Sequence, residues 1–426
     1  CAKPKIYPSH FVVVKNQRSR EVFVKILKVT PKSEEIERLC SRSVAPSPEI
    51  HKKVLSILED VKKNGVSAAL RYAKEFDGVN ASSLKISAKT VASAAAKTPE
   101  SLRSAIRSAI RNVRDFHKKQ MEKSWNFVTK EGSLLGQRIR PMRRVGLYVP
   151  GGAGVYPSTV IMNAVPALVA GVSEIVVVTP AKGGLNPAVA FVLQELGITE
   201  IYHIGGAQAV ALLAYGGKGI TPVDKIVGPG NVFAAVAKKE VFGTVDIDMI
   251  AGPSEVLVMA DASSDPDFVA ADLLAQAEHG SGFEAAICIT DSMDVAKDIL
   301  ACVEAQVEVS PRKELLEKSL ARFGRILVVK DWETGVAIAN RIAPEHLEVM
   351  TRNADKLAER LDNAGAIFIG PWSSEPVGDY FAGPNHVLPT NGTARFSSPL
   401  GVYDFLKRTS IIRYSQKAML KNAKAI

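Results

Sequence analysis

Short apolar segments alternate with helical patterns from Val145 onward, and this alternation constrains the fold more than any other feature of the chain. Apolar runs such as Glu174–Pro180 (EIVVVTP) and Ala285–Thr290 precede helical patterns of about ten residues. Such alternation is typical of parallel sheets with helices packed on them. It occurs in two blocks of similar size, before and after the turn Ala251–Ser254. The sequence therefore predicts an α/β protein with two Rossmann-like parallel-sheet domains.

An N-terminal helical flank precedes the first block. Glu34–Arg42, Ile50–Lys63 and Ala88–Met121 carry apolar residues at helical spacing. Gly65 predicts a helix stop, and Trp125–Arg144 is expected to be extended. The flank packs and contributes to dimerisation in this interpretation, without chemistry of its own.

These patterns divide the chain into five stretches. We expect a basic N-terminal extension, a helical flank, a Rossmann-like nucleotide-binding domain, a catalytic and metal-site α/β domain packed with the flank, and the start of a C-terminal tail. The corresponding residues are 1–23, 24–145, 146–252, 253–410 and 411–426.

The net charge of +10 is concentrated at the two ends of the chain. Residues 1–24 and 413–426 each carry +4, which leaves +2 for the body. Basic ends are commonly solvated, and no basic stretch is interleaved with aromatic residues, so a nucleic-acid binder is not favoured. The longest apolar candidate for a membrane span, Val160–Val172, is too short and includes Asn163 and Pro166. We expect neither a nucleic acid nor a membrane as partner.

Cysteine usage and the N-terminal sequence bear on the compartment. The four cysteines show no C-x-x-C spacing and are expected to be reduced thiols in a cytosol-like compartment. The first 23 residues lack the apolar segment of a secretory signal. We expect a cytoplasmic protein, with a plastid transit remnant as the alternative explanation of residues 1–23.

Three glycine-rich turns each follow a predicted strand and precede a predicted helix, at 151–154, 205–206 and 228–230. Ligands of such sheets bind beyond the carboxyl ends of the strands, where glycine lets the backbone approach a phosphate. None of the turns has the G-x-G-x-x-G spacing, so a dinucleotide site and plain tight turns remain equal alternatives. A bound nucleotide would meet Tyr148, Gln208 and Asn231.

A second group of residues has the chemistry of metal ligands. Gln276 and His279 are three residues apart near the end of a predicted helix and share one face. His346, His386 and Asp379 lie beside carboxylates or amides at the ends of other elements. Together these donors suit zinc, or manganese or cobalt in its place. The alternative is that each histidine is a satisfied hydrogen-bonding residue.

The segment APEHLE places a carboxylate beside an imidazole. Pro344 predicts the first turn of a helix, with Glu345 and His346 facing one cleft near its start. Such a pair can exchange protons near neutral pH. A capped surface helix is the competing interpretation of this segment.

Seven motifs occur in one order along the chain: GLYVPGG, GGAQA, DKIVGPGN, AGPSEVLV, QAEHG, APEHLE and VGDYFAGPNHVLPT. In this arrangement the sequence resembles the histidinol dehydrogenase family from about Val24 to Ser410. The resemblance implies oxidation of L-histidinol to L-histidine through the aldehyde, the last steps of histidine biosynthesis, with two NAD and one zinc per site. The other functions considered are a zinc- and NAD-dependent dehydrogenase of another small polyol, and a non-catalytic relative that acts as a regulator or scaffold.

The resemblance also implies a role for each matching residue. Glu345 and His346 would handle protons, and Gln276, His279 and Asp379 would bind zinc. The NAD contacts would be Tyr148, Gln208 and Asn231. The substrate contacts would be Ser254, Gln276, His279, His346 and Asp379. No role is implied for His386, which we expect to be structural or to support the site from behind.

The family is expected to be homodimeric, with the active site completed across the interface. A tail after the KRTSII region carries a further glutamate and the last zinc-ligating histidine of the partner's site. The sequence ends at Ile426 and has no histidine after His386. On this resemblance we expect the sequence as given to be truncated, with weakened zinc binding and severely impaired turnover.

Overall fold

The structure is a computed structural model that describes residues 24–42, 46–79, 82–151, 157–180 and 183–426. The expected extension, 1–23, lies outside them. The strands are β1 (Lys25–Lys28), β2 (Trp125–Val128), β3 (Leu134–Pro141), β4 (Arg144–Tyr148), β5 (Glu174–Thr179), β6 (Glu200–His203), β7 (Lys225–Val227), β8 (Asp246–Ile247), β9 (Glu255–Ala260), β10 (Ala285–Thr290), β11 (Gly324–Val328), β12 (His346–Met350), β13 (Ala366–Ile369) and β14 (Leu406–Arg413).

The helices occupy the segments between the strands and the N-terminal flank. They are α1 (Glu34–Cys40), α2 (Pro48–Asp77), α3 (Ala88–Ala95), α4 (Glu100–Lys118), α5 (Pro157–Ala170), α6 (Pro187–Glu195), α7 (Gly206–Tyr215), α8 (Val232–Val241), α9 (Pro266–Ala277), α10 (Met293–Val309), α11 (Lys313–Phe323), α12 (Trp332–Ile342), α13 (Ala354–Ala358), α14 (Glu375–Val377) and α15 (Gln416–Asn422). A short π-helix, Gly378–Ala382, follows α14 directly.

The first parallel sheet has the strand order β6-β5-β4-β7-β8, and every neighbouring pair in it is parallel. The chain starts in the middle at β4, winds outward to β6, then crosses back to β7. This reversal is the topological switch point of a Rossmann-like sheet, where ligands bind beyond the carboxyl ends of the strands. All five residues of β4 are buried, as expected for a strand covered on both faces.

The second parallel sheet repeats this winding. Its order is β1-β11-β10-β9-β12-β13, and all its pairs are parallel. Without β1, the strands from β9 onward follow the same order as those of the first sheet. The predicted class, an α/β protein with two Rossmann-like parallel sheets, is therefore confirmed.

The contacts of the N-terminal flank are divided between the two sheets. β1 pairs with β11 and α1 packs on α12 in the second unit, whereas α2 packs on α7 and α8 and α3 packs on α6 in the first. Gly65 has φ 55° and ψ −135°, outside the helical region, so it ends the first part of α2 as predicted, and a second helical part continues from this kink to Asp77. Buried apolar residues of both parts pack into the same core of the first unit.

A third, antiparallel sheet of order β14-β3-β2 joins residues 125–141 to the C-terminal segment. The expected extended structure after Trp125 is thus confirmed. Apolar side chains of this sheet, including Trp125, Phe127 and Ile412, are more than half exposed. Among the helices of the described residues, none has the length and apolar character needed to cross a bilayer.

The APEHLE segment differs from its predicted structure. Helix α12 ends at Ile342, Ala343 adopts a left-handed conformation with φ 48°, and strand β12 begins at His346. Pro344 therefore follows a helix end, a second position in which proline is common. The prediction of a helix start at Pro344 was wrong because local signals do not distinguish the two positions, and pairing of His346–Met350 with β9 decides for a strand.

Candidate active site

The two parallel sheets contribute opposite edges to one cleft. Gly228 follows the carboxyl end of β7, whereas Ser254 and Glu345 precede the amino ends of β9 and β12. All three residues line one cavity of about 100 Å³. The second sheet therefore lines the cleft with the amino ends of its strands, whereas ligands of such sheets usually bind at the carboxyl ends. Helix α9 runs antiparallel to the strands, so its C-terminal end places Gln276 at the same edge.

The three side chains expected to contact NAD line one pocket of about 430 Å³ at the switch point of the first sheet. The Tyr148 hydroxyl accepts a hydrogen bond from the Gly206 amide at 2.9 Å. The Gln208 amide donates to Asp77 at 3.4 Å. Asn231 caps α8 by accepting from the Ala234 amide at 3.1 Å. Burial raises the pKa of Tyr148 to about 12, so its hydroxyl stays neutral.

A buried ion pair holds the turn between β7 and Asn231. The Gly228 amide donates to Asp248 at 2.7 Å, and its carbonyl accepts from Lys238 Nζ at 3.0 Å. Lys238 and Asp248 also contact each other, and both are almost fully buried. Gly228 has φ 109°, and a Cβ at that position would lie 2.2 Å from the Tyr148 carbonyl oxygen. The hydrogen bonds of Gly228 and the lack of space for a Cβ therefore fix the conformation of this turn.

Alanine at Gly228 is expected to destabilise the protein more than alanine at Gly243. Both glycines have positive φ, but nothing lies within 4 Å of a Cβ at Gly243. Gly243→Ala carries only backbone strain, about 1–3 kcal/mol. Gly228→Ala adds the clash with Tyr148, and we expect about 2 kcal/mol more. Thermal and denaturant unfolding of both variants measures the difference, and equal losses would contradict this account of the turn.

His346 lies at the centre of the predicted metal and proton-transfer residues. Its Nδ1 is 3.1 Å from the backbone carbonyl of Glu255 and 3.3 Å from Gln276 Nε2. Its Nε2 is 3.3 Å from Asp379 Oδ1. The carbonyl can only accept a hydrogen bond, so Nδ1 carries a proton, and Gln276 Nε2, which is also a donor, contacts Nδ1 without a hydrogen bond. Glu255 and Asp379, which are 124 positions apart in sequence, thus meet around one imidazole.

The donor atoms around His346 fit a zinc ion. Atoms of His346, Glu375 and Asp379 lie within 4.8 Å of one another. Gln276 is 1% exposed, and its Oε1 has no hydrogen-bond partner in the described part of the chain. A buried amide oxygen without a partner is unfavourable, and coordination of a cation would satisfy it. Imidazole, carboxylate and amide oxygen donors are compatible with zinc.

His279, the third predicted ligand, lies farther from this group. It is exposed, and its Nδ1 is 3.3 Å from the backbone carbonyl of Gln276 at the end of α9. The structure therefore places Gln276 and Asp379 against His346, with His279 at the rim. His386 is held by Ser158, whose Oγ is 3.3 Å from its Nε2, and it lines the same cavity as Ser254.

The proton affinities of the pair are strongly perturbed. Burial raises the pKa of Glu345 to about 8, although the charge of His346 opposes this. Burial alone would lower the pKa of His346, but the negative charges of Glu345 and Asp379 more than offset it and raise that pKa to about 10. Perturbed values in a cleft indicate a site of proton transfer.

Three buried carboxyl groups beside the site were missed by the sequence reasoning. Burial raises the pKa of Glu375 to about 8 and that of Glu348 to about 9, and it also raises the pKa of Asp272. The spacing of these carboxyl groups from predicted site residues is the sequence signal that could have indicated them. Glu375 and Asp272 each lie four residues before a predicted ligand, and Glu348 lies two residues after His346 in a strand, so each shares a face with a site residue.

Comparisons with known proteins identify the family of this chain. The family model described as histidinol dehydrogenase matches residues 40–426. Histidinol dehydrogenases of Bacillus licheniformis and Bacillus subtilis are each 50% identical to the chain, over 90% and 92% of both sequences. The crystal structure of histidinol dehydrogenase from Elizabethkingia anophelis superposes with a TM-score of 0.90 at 35% identity, covering 96% of this chain and 94% of that one.

A more distant structure shares the fold alone: an acetylating aldehyde dehydrogenase from Geobacillus thermoglucosidasius, with a TM-score of 0.50 at 12% identity, covering 90% of this chain and 96% of that one. The Bacillus relatives are bacterial proteins, and the suggested plastid origin of residues 1–23 is not borne out. The family match and the two relatives at half identity together show that the chain belongs to the histidinol dehydrogenase family of NAD-dependent oxidoreductases.

Proposed function

We propose that the chain oxidises L-histidinol to L-histidine through the aldehyde at the cleft between the two sheets. The observation that carries this proposal is the group around His346, in which a buried Gln276 oxygen without a partner adjoins Asp379 and the Glu345–His346 pair. The pocket of Tyr148, Gln208 and Asn231 lies at the same turn after β7 that lines the cavity of Glu345, which supports a shared cleft for a metal ion and a nucleotide.

Glu345 and His346 would move the protons of both oxidation steps. The alcohol loses one proton as it becomes the aldehyde, and the hydrated aldehyde loses another as it becomes the acid. A Glu345 carboxylate can accept each proton, since the Glu255 amide, which donates to Glu345 Oε2 at 2.9 Å, fixes its position. His346 would serve as the second proton-transfer group of the pair, as a general acid or base beside Glu345.

Gln276, Asp379 and His279 would hold zinc, with His346 and Glu375 close enough to contribute. When bound, zinc would orient the substrate through its imidazole and amine. When bound in the pocket of Tyr148, NAD would accept the hydride of each step. Ser254 lines the same cavity as Glu345 and is placed to hydrogen-bond the substrate. This division of labour assigns nucleotide binding to 146–252 and substrate binding to 253–410.

We also propose that the working form is a homodimer whose site is completed across the interface. The support is the antiparallel sheet β14-β3-β2. Its exposed Trp125, Phe127 and Ile412 form apolar surface that a partner subunit would bury. The C-terminal segment that follows β14 lies on the same side of the molecule as this sheet. The Ser415 amide donates to the hydroxyl of Ser133, which immediately precedes β3. Size-exclusion chromatography with light scattering tests the stoichiometry.

The experiment that tests the proposed function measures NADH formation by the zinc-loaded protein with histidinol and with other small alcohols. We expect turnover with histidinol, production of histidine, and two NADH for each histidinol consumed. Turnover of another polyol without histidinol would favour a paralogous dehydrogenase, an alternative that the comparisons do not favour. Absence of turnover with any alcohol by a folded, zinc-loaded protein would favour a non-catalytic relative.

The rate of histidinol oxidation is expected to rise with pH. Only the carboxylate form of Glu345 can accept a proton, and burial raises the pKa of this group to about 8. We expect kcat/KM to increase about tenfold per pH unit below that pKa and to level off above it. Initial rates from about pH 6 to pH 10 measure the profile. The Glu345→Gln variant should not show this increase of kcat/KM with pH. A wild-type kcat/KM that does not change with pH would contradict the role of Glu345.

A further inference from the structure

The carboxylate of Glu255, the first residue of β9, organises the backbone around the proton-transfer pair. The Glu345 amide donates to Glu255 Oε2 at 3.3 Å, and the Glu255 amide donates back to Glu345 Oε2 at 2.9 Å. The carbonyl of Glu255 accepts from His346 Nδ1, and its Oε1 accepts from the Asn391 amide at 2.9 Å. One residue thus holds both members of the pair.

Arg42 is the countercharge of this carboxylate. Its Nε and Nη2 donate to the two oxygens of Glu255 at 2.7 and 2.5 Å, a bidentate geometry. Both side chains are at most 3% exposed. Its Nη1 donates to the Leu39 carbonyl, and its Nη2 also contacts the Ile342 carbonyl at 3.5 Å. Arg42 therefore reaches from the end of α1 to the end of α12, just before the loop that carries Glu345.

Backbone strain is concentrated around this contact. Within the described ranges, two residues other than glycine have positive φ: Ala343 at 48° and Asn391 at 55°. Ala343 lies between Ile342 and Glu345, and Asn391 donates directly to Glu255. Such conformations persist where surrounding contacts over-determine them, and they cluster at functional sites. The Arg42–Glu255 contact supplies such constraints on the backbone near Ala343 and at Asn391.

We propose that Arg42 is a positioning residue for the Glu345–His346 pair and acts through Glu255. This inference rests on the proposed function, because it assigns the pair its catalytic role. Without Arg42, the carboxylate of Glu255 would be a buried charge without its partner, which is strongly unfavourable. Glu255 would then move toward solvent and release the Glu345 and Asn391 amides. Arg42 lies 213 positions from Glu255 in sequence, so no local motif indicates this role.

Three variants test the proposal in the zinc-loaded enzyme. Arg42→Met removes the countercharge, and we expect kcat for histidinol to fall about 100-fold, as for a small misplacement of reacting groups. Arg42→Lys keeps the positive charge but cannot make the bidentate contact, so its kcat should lie between those of Arg42→Met and the wild type. The double variant Arg42→Met/Glu255→Gln leaves no buried charge, so it remains informative if the single variant fails to fold. It should stay impaired, since the Glu345 and Asn391 amides donate to different oxygens of Glu255, and in glutamine one of these positions holds an NH2 group that cannot accept.

The measurements are kcat and the KM for NAD, each per folded, zinc-loaded site, with Arg38→Met as the matched control. Arg38 lies one helical turn before Arg42, and its ion pair with Glu35 is partly exposed, so that variant should keep wild-type kcat. A positioning role lowers kcat and leaves the KM for NAD within about twofold. If the double variant retains wild-type kcat, the inference is overturned, whereas an inactive wild-type enzyme would overturn the proposed function instead.

Discussion

Asparagine in place of His346 is expected to lower kcat for histidinol oxidation by about 10²- to 10⁴-fold, the usual contribution of a general acid or base. The shorter amide can still donate to the Glu255 carbonyl in place of Nδ1. It cannot reach Asp379 as Nε2 does. The variant therefore keeps the contact that fixes the backbone and loses the one that faces the metal-binding group. Steady-state rates of NADH formation measure the effect.

Two further histidine variants make this result interpretable. His346→Gln places its amide nearer to the position of Nε2 and loses the contact with the Glu255 carbonyl, so it separates the two halves of the imidazole. His51→Asn is the control, because His51 is half exposed and pairs with Glu240 on the surface. It should retain the wild-type rate. Wild-type kcat in His346→Asn would show that the imidazole takes no part in the chemistry.

Methionine in place of Gln276 is expected to lower zinc affinity at least about tenfold, which corresponds to about 1.4 kcal/mol. The variant removes the buried Oε1 that has no hydrogen-bond partner among the described residues. Zinc at about 100 times its Kd should stabilise the wild-type protein by about 2.7 kcal/mol. Under the same conditions the variant should gain clearly less. Thermal unfolding with and without zinc gives both values, and isothermal titration gives the affinity.

The control for Gln276 is Gln306→Met on α10. The Gln306 side chain donates to the Asp267 carbonyl near the surface, so this change should leave the zinc-dependent shift intact. If Gln276→Met shows the full zinc-dependent stabilisation, the amide is not a ligand. The ion would then be held by other donors, of which the nearest group is His346, Glu375 and Asp379.

Much of the fold could be predicted because buried parallel strands require continuous apolar runs. Ala285–Thr290 was predicted with the bounds that β10 has, and the predicted helix near whose end Gln276 lies is α9. The same local physics failed at Pro344. A proline after a helix end and a proline at a helix start carry similar local signals, and only the pairing of β12 with β9 distinguishes them.

The candidate site shows the same division. Gln276, Glu345 and Asp379 could be nominated from residue chemistry and motif order, because donors of the right type stand at the ends of elements. Glu375, Glu348 and Asp272 were missed, since a carboxylate in sequence is normally a solvated group, and only burial turns it into a perturbed one. The role of Arg42 could not be anticipated, as its partner Glu255 is remote in sequence.

The sequence by itself determined the class of fold, the family and the chemical types at the site. It did so because hydrophobic periodicity and side-chain chemistry are local properties of the chain. The tertiary structure decided which of those side chains meet. It brought the amino ends of β9 and β12 against the turn after β7, buried Arg42 against Glu255, and left His279 at the rim. Distances between remote residues depend on the packing of whole sheets and helices, which local sequence patterns do not encode.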